Sequence, residues 1–388
     1  MGADGAIKTP TAAVRVAIIT MDTHLATATQ LAAADLAREC PGLQLTMHAA
    51  SEWSASESKL KHCLEDIERA DILLVTMLFM ESHFEPVLDA IADRRADADA
   101  VICAMSAAEV TRLTKLGDFD MSKPASGPMA LLKKLKPKPS TNKSSGQTQM
   151  KMLRRLPKLL KYVPGTAQDV RAYFLTLQYW LSGSRDNMAN LVRYLVGRYA
   201  KDQRAQLAKA LLPAEPPMEY PEVGVYHPRM QPRIASDTKF LPAPDGTTGR
   251  VGVLMLRSYL LGANAGHYDG VLAALESRGL AVVPVFASGL DARPAIEKFL
   301  KQDGKPAVDA VVSLTGFSLV GGPAYNDAAA AEAVLSELDV PYIAAHPVEF
   351  QTLEEWGGSE RGLSPVESTI MVAIPELDGA ISPMVFGG

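Results

Sequence analysis

The segment Val14–Thr20, with the sequence VRVAIIT, is an apolar run interrupted only by an arginine. Runs of this kind form strands that are buried on both faces of a parallel sheet. DILLVTM at Asp71–Met77 and AVICA at Ala100–Ala104 repeat the pattern, and Leu43–Met47 is a shorter candidate strand. Stretches of helical character separate or follow these strands, at about Leu25–Arg38, Ser56–Arg69, Glu81–Arg95 and Ala107–Leu116. The alternation predicts a doubly wound parallel sheet.

The same rhythm returns in the last third of the chain. Four strand-like runs occur there, at Val251–Leu256, Leu280–Phe286, Ala307–Ser313 and Pro341–Ala345. The helical stretches between them are Gly266–Arg278, Arg293–Lys301 and Asp327–Leu338. The predicted fold class is therefore α/β, with two doubly wound parallel-sheet domains of the Rossmann-like or flavodoxin-like kind.

The region between the two α/β patterns has a different character. Its first part is rich in Lys, Pro and Ser, and two amphipathic stretches separated by Ser182–Ser184 then predict a helical hairpin. A proline-rich stretch follows. We expect an N-terminal α/β domain over 1–118, a basic linker over 119–165, the hairpin over 166–212, a proline-rich connection over 213–249 and a second α/β domain over 250–388. Because the tail ends on a strand-like piece without a closing helix, we expect that second domain to be truncated.

Composition places the chain among ordinary soluble globular proteins. Its 388 residues are 47% hydrophobic and 21% charged, and no apolar run approaches the ~18 residues that a bilayer span needs. The three cysteines, Cys40, Cys63 and Cys103, are far apart in the sequence, which disfavours a disulfide framework and favours a reducing cytoplasm.

Basic residues are concentrated in one segment. Met121–Gln168 contains 11 Lys or Arg and no Asp or Glu, whereas the whole chain has a formal net charge of −5. The segment has three interpretations: a solvated linker, a docking surface for an acidic partner subunit, or a transient membrane-surface contact through 122–162, where LRRLPKLLKY mixes basic and apolar residues. Nucleic acid is not expected as a partner, since the domains are acidic and no recognition motif is present.

Motifs for nucleotide or metal binding are missing from the sequence. It contains no GxxxxGK[ST], and no GxGxxG follows the first strand. The seven histidines form neither HxxxH nor HExxH, so no metal site is predicted. If the protein uses ATP, another chain is expected to bind it.

Candidate ligand-binding residues follow the predicted strands. His24, His83, His267 and His346 each come after a strand, at the carboxyl end where open α/β sheets bind ligands. Glu349 lies just beyond His346 and is the best placed of the crowded C-terminal carboxylates. Thr315 belongs to a glycine-rich loop, SLTGFSLVGGP, that follows another strand. The substrate-binding candidates are His267, Thr315, His346 and Glu349, and the other histidines and most of the carboxylates are expected to be loop or surface residues.

Five stretches together resemble the large subunit of magnesium chelatases, which is itself similar to the large subunit of cobaltochelatases. The stretches are Asp118–Lys136, Lys151–Ser184, Tyr220–Pro228, Val308–Asp327 and Ala373–Gly388. The resemblance runs from about Val14 to the last residue. The motifs of the linker region favour the magnesium branch.

The resemblance implies a porphyrin-binding subunit that inserts Mg²⁺ into protoporphyrin IX for chlorophyll or bacteriochlorophyll synthesis. It also implies two smaller partner subunits of the AAA+ class that hydrolyse ATP. Mg²⁺ and protoporphyrin IX would be substrates of the complex, and no cofactor is assigned to this chain. The family's chain is much longer, so its catalytic residues are expected largely beyond Gly388 and none is carried over. The resemblance thus predicts a ligase subunit in the cytoplasm or the plastid stroma. This chain alone, as a fragment of that subunit, is expected to be inactive.

Two other functional classes remain open. The chain fits a non-catalytic module that docks the motor subunits or a membrane surface, and the cobaltochelatase large subunit is a further alternative. An independent α/β enzyme is disfavoured by the missing cofactor loops.

Overall fold

A computed structural model describes residues 13–21, 23–53, 56–123, 155–242, 244, 246–322, 325–349, 351–380 and 384–387. Most of the basic segment, 124–154, lies outside the described residues. The chain divides into two compact units, Met1–Glu219 and Tyr220–Gly388. Within the described residues, no helix combines the length and apolarity needed to cross a bilayer.

The first unit contains a six-stranded sheet in the order β2-β1-β3-β4-β5-β6. The first four strands are parallel, and the two short ones at the edge are antiparallel. The strands are β1 (Val14–Thr20), β2 (Leu43–Ala49), β3 (Ile72–Thr76), β4 (Ala100–Ala104), β5 (Lys115–Leu116) and β6 (Phe119–Asp120).

Helices cover both faces of this sheet. They are α1 (Ala26–Glu39), α2 (Glu57–Arg69), α3 (Glu81–Arg94), α4 (Ala108–Thr111), a helical segment α5 over 155–160, α6 (Thr166–Leu181), α7 (Arg185–Tyr199) and α8 (Asp202–Leu207), with 3-10 turns at Ala50–Glu52 and Ala208–Ala210. Along β1, Val16 and Ile18 point to the face covered by α1, α6 and α7, whereas Ala17 and Ile19 point to the face of α2 and α3. This alternation follows from the two-residue repeat of a strand.

The hairpin of α6 and α7 belongs to the first unit. Val170 and Trp180 of α6 and Met188 and Leu195 of α7 are buried in one core with the β1 side chains. The structure therefore groups the expected hairpin domain, 166–212, with the first sheet, because the apolar face of that sheet is covered only when the hairpin packs on it.

The predicted helix over Ala107–Leu116 is mostly wrong. Only α4 is helical, and the chain then reverses through β5 and β6. Gly117 turns the chain with a φ of 52°, and a Cβ at this position would lie 2.6 Å from Asp169 Oδ2. Glycine permits both the left-handed conformation and this close approach, so the chain reverses at Gly117 between β5 and β6.

The second unit contains a seven-stranded sheet in the order β17-β16-β13-β9-β10-β7-β8. The first five strands in this order are parallel; β7 adds antiparallel to β10, and β8 adds antiparallel to β7. The strands are β7 (Val223–Tyr226), β8 (Ile234–Ala235), β9 (Gly249–Leu256), β10 (Leu280–Ala287), β13 (Ala310–Ser313), β16 (Tyr342–Pro347) and β17 (Met384–Gly387). Two small hairpins pair β11 (Lys301–Gln302) with β12 (Lys305–Pro306), and β14 (Gly321–Gly322) with β15 (Tyr325–Asn326).

Both faces of the second sheet are also covered. Its helices are α9 (Arg257–Leu261), α10 (Gly266–Glu276), α11 (Arg293–Ala295) with a π turn at Ile296–Leu300, α12 (Ala328–Leu338), α13 (Leu353–Gly358), α14 (Pro365–Glu367) with a π turn at Ser368–Ala373, and α15 (Ile374–Leu377); a 3-10 turn spans Thr238–Phe240. Helices α9 and α10 pack on the face of Val253 and Met255, and α11 and α12 pack on the face of Leu254 and Val311.

The expected proline-rich connection, 213–249, is divided by the structure. Tyr220 starts the second unit, and β7 and β8 extend its sheet. The short strands were concealed by the prolines around them, which are tolerated at a sheet edge because that edge leaves ladder donors unused. The α/β class with two largely parallel, doubly wound sheets is confirmed.

Candidate functional site

The connections between the strands of the second sheet change direction at its carboxyl edge. From β9 the chain passes through α9 and α10 to β10 on one side, and then returns through α11 to β13 on the other side of β9. The loops after β9 and β13 therefore diverge. Open α/β sheets bind ligands at such a switch point.

His267 lies at the start of α10 in an aromatic enclosure. Its ring centroid is 4.0 Å from that of Tyr268, 5.3 Å from that of Tyr259 and 5.8 Å from that of Phe386, which stacks on it. Its Nε2 atom is buried and has no hydrogen-bond partner among the described residues. Burial lowers the pKa of His267, so the imidazole is held neutral.

Tyr259 connects His267 to Glu349. The phenol donates a hydrogen bond to the Glu349 carboxylate, and the same ring contacts the imidazole edge to face. Helix α9, directly after β9, carries Tyr259, and the segment after β16 carries Glu349. The fold therefore brings together two of the sequence-predicted residues through a third that the sequence analysis did not select.

Glu367 fixes the segment that carries Glu349. Its side chain is fully buried, and its carboxylate accepts hydrogen bonds from the Glu349 backbone N–H at 3.2 Å, the Ser364 N–H at 3.0 Å and Gln351 Nε2 at 2.6 Å. Glu367 is thus an exception among the C-terminal carboxylates, most of which were expected to be surface residues. The sequence signal was the Ser364-Pro-Val-Glu367 capping box, which pairs a cap hydroxyl with the carboxylate three residues later.

His346 lies in β16 beneath this edge and is 2% exposed. Its Nδ1 atom is 3.4 Å from the Pro347 carbonyl oxygen. Burial lowers the pKa of His346, partly offset by the Pro347 carbonyl and the Glu367 charge. Gly316 approaches it closely, since a Cβ there would lie 3.4 Å from the His346 Cβ. His346 therefore packs against the glycine-rich loop at Gly316.

Thr315 belongs to a separate hydrogen-bonded cluster in the glycine-rich loop after β13. Its hydroxyl is 3.1 Å from that of Ser313, and both line a small cleft with Ser318. Asp378 lies behind Ser318 and Leu319, accepts the Leu319 N–H at 2.7 Å, and has its pKa raised by burial. Of the four candidates, His267 and Glu349 are joined through Tyr259, whereas Thr315 lies in the glycine-rich loop and His346 packs against that loop beside it.

The histidines after strands of the first unit are used differently. The ring of His24 contacts Trp180 of α6 edge to face, at 6.2 Å between centroids. Burial lowers the pKa of His83 at the start of α3. In the described part of the chain, no set of three or more His, Cys, Asp or Glu side chains is arranged to hold a metal ion.

Comparison with known families assigns most of the chain. Residues 177–388 match the family described as CobN/magnesium chelatase, and residues 15–174 match a domain of unknown function, DUF3479. The H subunit of the Cereibacter sphaeroides magnesium chelatase is 51% identical over 96% of this chain and 31% of its own length. The chloroplastic ChlH subunit of the Oryza sativa subsp. indica magnesium chelatase is 37% identical over 90% of this chain and 26% of its own length.

Cobalt enzymes are more distant relatives. The aerobic cobaltochelatase subunit CobN of a Sinorhizobium species is 26% identical over 52% of this chain and 15% of its own length. The catalytic subunit of the Mycobacterium tuberculosis cobaltochelatase matches with a TM-score of 0.47 and 18% identity, over 95% of this chain and 24% of that one. The chain spans about a third of the length of the magnesium-chelatase relatives. The family match over more than half of its residues shows that the chain belongs to the CobN/magnesium chelatase family.

Proposed function

We propose that the chain is part of the porphyrin-binding subunit of a magnesium chelatase and contributes one wall of the substrate cavity. The single observation that carries this proposal is the Tyr259 bridge between His267 and Glu349 at the carboxyl edge of the second sheet. The identity of 51% to a magnesium-chelatase subunit, against 26% to a cobalt one, favours the magnesium reaction.

The chemistry of metal insertion suits this cluster. Two pyrrole N–H protons must leave the macrocycle, which requires bases near it. An imidazole and a carboxylate are such bases, and the half-buried rings of Tyr259 and Phe386 supply apolar area for a flat ligand. Mg²⁺ dehydrates reluctantly, so closure of a dry cavity by ATP-driven partner subunits would assist insertion.

The proposal assigns a limited share of the reaction to this chain. Protoporphyrin IX and Mg²⁺ are the substrates of the whole complex, and two smaller AAA+ subunits bind and hydrolyse ATP. The chain operates in the cytoplasm or, in a plant, the plastid stroma. Alone it binds porphyrin without inserting metal.

A porphyrin titration tests the proposal. Deuteroporphyrin is added to the chain while the fluorescence of Trp356 is followed in a variant whose other two tryptophans, Trp53 and Trp180, are replaced by Phe. Saturable quenching of Trp356, which lies in the second unit, is expected. Quenching without saturation, or none from a folded chain, overturns the proposal.

Matched variants assign the site within the unit. We expect His267→Gln and Glu349→Gln each to weaken porphyrin binding about tenfold. A loss of affinity of about tenfold is what removing one hydrogen bond to the ligand typically causes. The exposed residues His62 and Glu354 provide the controls His62→Gln and Glu354→Gln, which should bind as the parent does. Equal affinity in all four variants would place the porphyrin elsewhere.

A further inference from the structure

The segment Arg155–Val163 is a short, fixed protrusion of the first unit. Leu156 is buried, and Leu160, one helical turn later, packs on the core of the first unit. Gln168 of α6 holds the end of the segment, because its Nε2 donates to the carbonyl oxygens of Leu160 at 2.8 Å and Val163 at 2.6 Å. The position of the protrusion on the unit is therefore defined by packing and hydrogen bonds.

The outward side of the protrusion is apolar. Leu159 is 70% exposed, Tyr162 is 83% exposed, and Val163 is also exposed. Tyr162 is the most exposed of the large hydrophobic residues in the described chain. Single exposed apolar residues need no explanation, but three within five residues on one turn form a patch that water solvates poorly.

Basic side chains surround this apolar tip. Arg155, Lys158 and Lys161 are exposed, and the Lys161 ammonium lies 5.5 Å from the centroid of the Tyr162 ring. Within the described part of the chain, no carboxylate is within salt-bridge distance of any of these three residues. The sequence from Met121 to Gln168 contains no acidic residue that would neutralise them.

We propose that the protrusion Arg155–Val163 is a contact site for an anionic lipid surface. Leu159 and Tyr162 enter the headgroup region, where an aromatic ring with one polar end is favoured. Arg155, Lys158 and Lys161 lie over the negative headgroups, to which each basic residue adds attraction. One such contact gives reversible binding, since a single weak anchor does not hold a protein on a membrane.

An acidic protein surface accounts for the observations less completely. It would pair with the three cations, but it would not cover Leu159 and Tyr162 unless it also carried a matching apolar pocket. A lipid surface has negative headgroups and an apolar layer directly beneath them. The protrusion carries its basic and its apolar side chains equally close together, so both can be satisfied at once. The combination of basic side chains and an exposed apolar tip therefore favours a lipid surface over an acidic protein as the partner.

Vesicle sedimentation of the full chain tests the proposal. Vesicles of phosphatidylcholine alone are compared with vesicles that also contain phosphatidylglycerol. We expect binding only to the anionic vesicles, with an affinity that falls as salt is added. Lys158→Glu/Lys161→Glu should weaken partitioning by about 30-fold or more, and Leu159→Ser/Tyr162→Ser by about tenfold.

A double variant of similar exposure elsewhere in the first unit provides the control. Lys209 and Leu212 are exposed, so Lys209→Glu/Leu212→Ser should partition as the parent does. Three outcomes would overturn the proposal: equal binding to neutral vesicles, no binding to anionic vesicles, or unchanged binding of Leu159→Ser/Tyr162→Ser. Salt-sensitive binding to polyglutamate together with no vesicle binding would identify an acidic protein partner instead.

Discussion

The two units build the same kind of sheet, but a linked group of titratable side chains lies at the amino edge of the first sheet and another at the carboxyl edge of the second. In the first unit, Asp71 and Asp99 precede β3 and β4 and lie at the amino edge. Arg204 of α8 donates to both carboxylate oxygens of Asp99, at 2.8 and 2.9 Å, and its Nε lies 3.4 Å from Asp71. These charges are paired with each other and attach α8 to the sheet.

In the second unit one linked group of titratable side chains lies at the carboxyl edge. His267, Glu349 and Glu367 come from segments that follow β9 or β16, and hydrogen bonds or ring contacts link them. The carboxyl edge is where parallel sheets bind ligands. The comparison indicates that the ion pairs of the first unit stabilise its fold, whereas the second unit has a histidine and a glutamate that could act as bases.

The largest expected effect tests the structural role of the first unit's charges. Asp99→Ala removes a carboxylate whose side chain is 1% exposed and leaves the Arg204 guanidinium without its main partner. We expect the free energy of unfolding to fall by about 3–5 kcal/mol in urea titrations, with porphyrin affinity unchanged in the folded variant. Asp35→Ala breaks the more exposed pair with Arg185 and should cost less than about 1 kcal/mol. Similar losses in the two variants would contradict this comparison.

A medium effect tests how the hairpin closes the first sheet. Gly183 separates α6 from α7, and a Cβ there would lie 2.6 Å from Leu25 Cδ1 and 2.9 Å from the Trp180 carbonyl oxygen. Gly183→Ala should therefore cost about 1–3 kcal/mol of unfolding free energy. Gly197→Ala is the control, since nothing lies within 4 Å of that Cβ in α7, and it should stabilise by about 0.5–1 kcal/mol. The prediction fails if both variants change stability in the same direction.

The smallest effect separates the two units by their response to acid. Burial lowers the pKa values of three described histidines in the second unit, His227, His267 and His346, and of one in the first, His83. Below about pH 6.5 the unfolded chain binds protons that the folded chain still rejects, so stability falls as the pH falls. Burial raises the pKa of Asp378, which acts in the opposite direction.

Hydrogen–deuterium exchange, corrected for its intrinsic pH dependence, measures the units separately. Between about pH 7.5 and 5.5 we expect β9 and β13 to lose more protection than β1 and β3. His267→Gln should reduce that loss. Equal loss in both units, or a loss unaffected by His267→Gln, would show that other groups dominate.

Continuous apolar runs made the central strands predictable. Val14–Thr20 and Ala100–Ala104 were predicted with the bounds that the structure has, because strands buried on both faces need apolar side chains throughout. Elements whose formation depends on tertiary pairing were missed. Val223–Tyr226 is a strand because β10 offers its edge, and Lys115–Leu116 is a strand because Gly117 permits a reversal. Neither cause is local to the missed strand.

The candidate site was predictable in its location but not in its contacts. The rule that loops after parallel strands meet at one edge was sufficient to select His267, His346 and Glu349. The role of Tyr259 depends on the direction of a side chain in a short helix, and that of Glu367 on burial of a carboxylate satisfied by backbone donors. Spacing in the sequence does not encode either feature. Which of these residues contact porphyrin stays a prediction.

The hairpin that covers the first sheet also constrains how this unit forms on the ribosome. Helix α7 packs on α1, yet about 150 residues of chain separate them, as the Arg185–Asp35 and Arg193–Glu39 pairs illustrate. Until α7 has emerged, part of one face of the β1–β4 sheet exposes its apolar side chains to solvent. Nascent chains of that intermediate length are the species most prone to aggregate and to recruit chaperones. Synthesis that pauses before Arg185 would therefore lengthen the most vulnerable stage in the life of the protein.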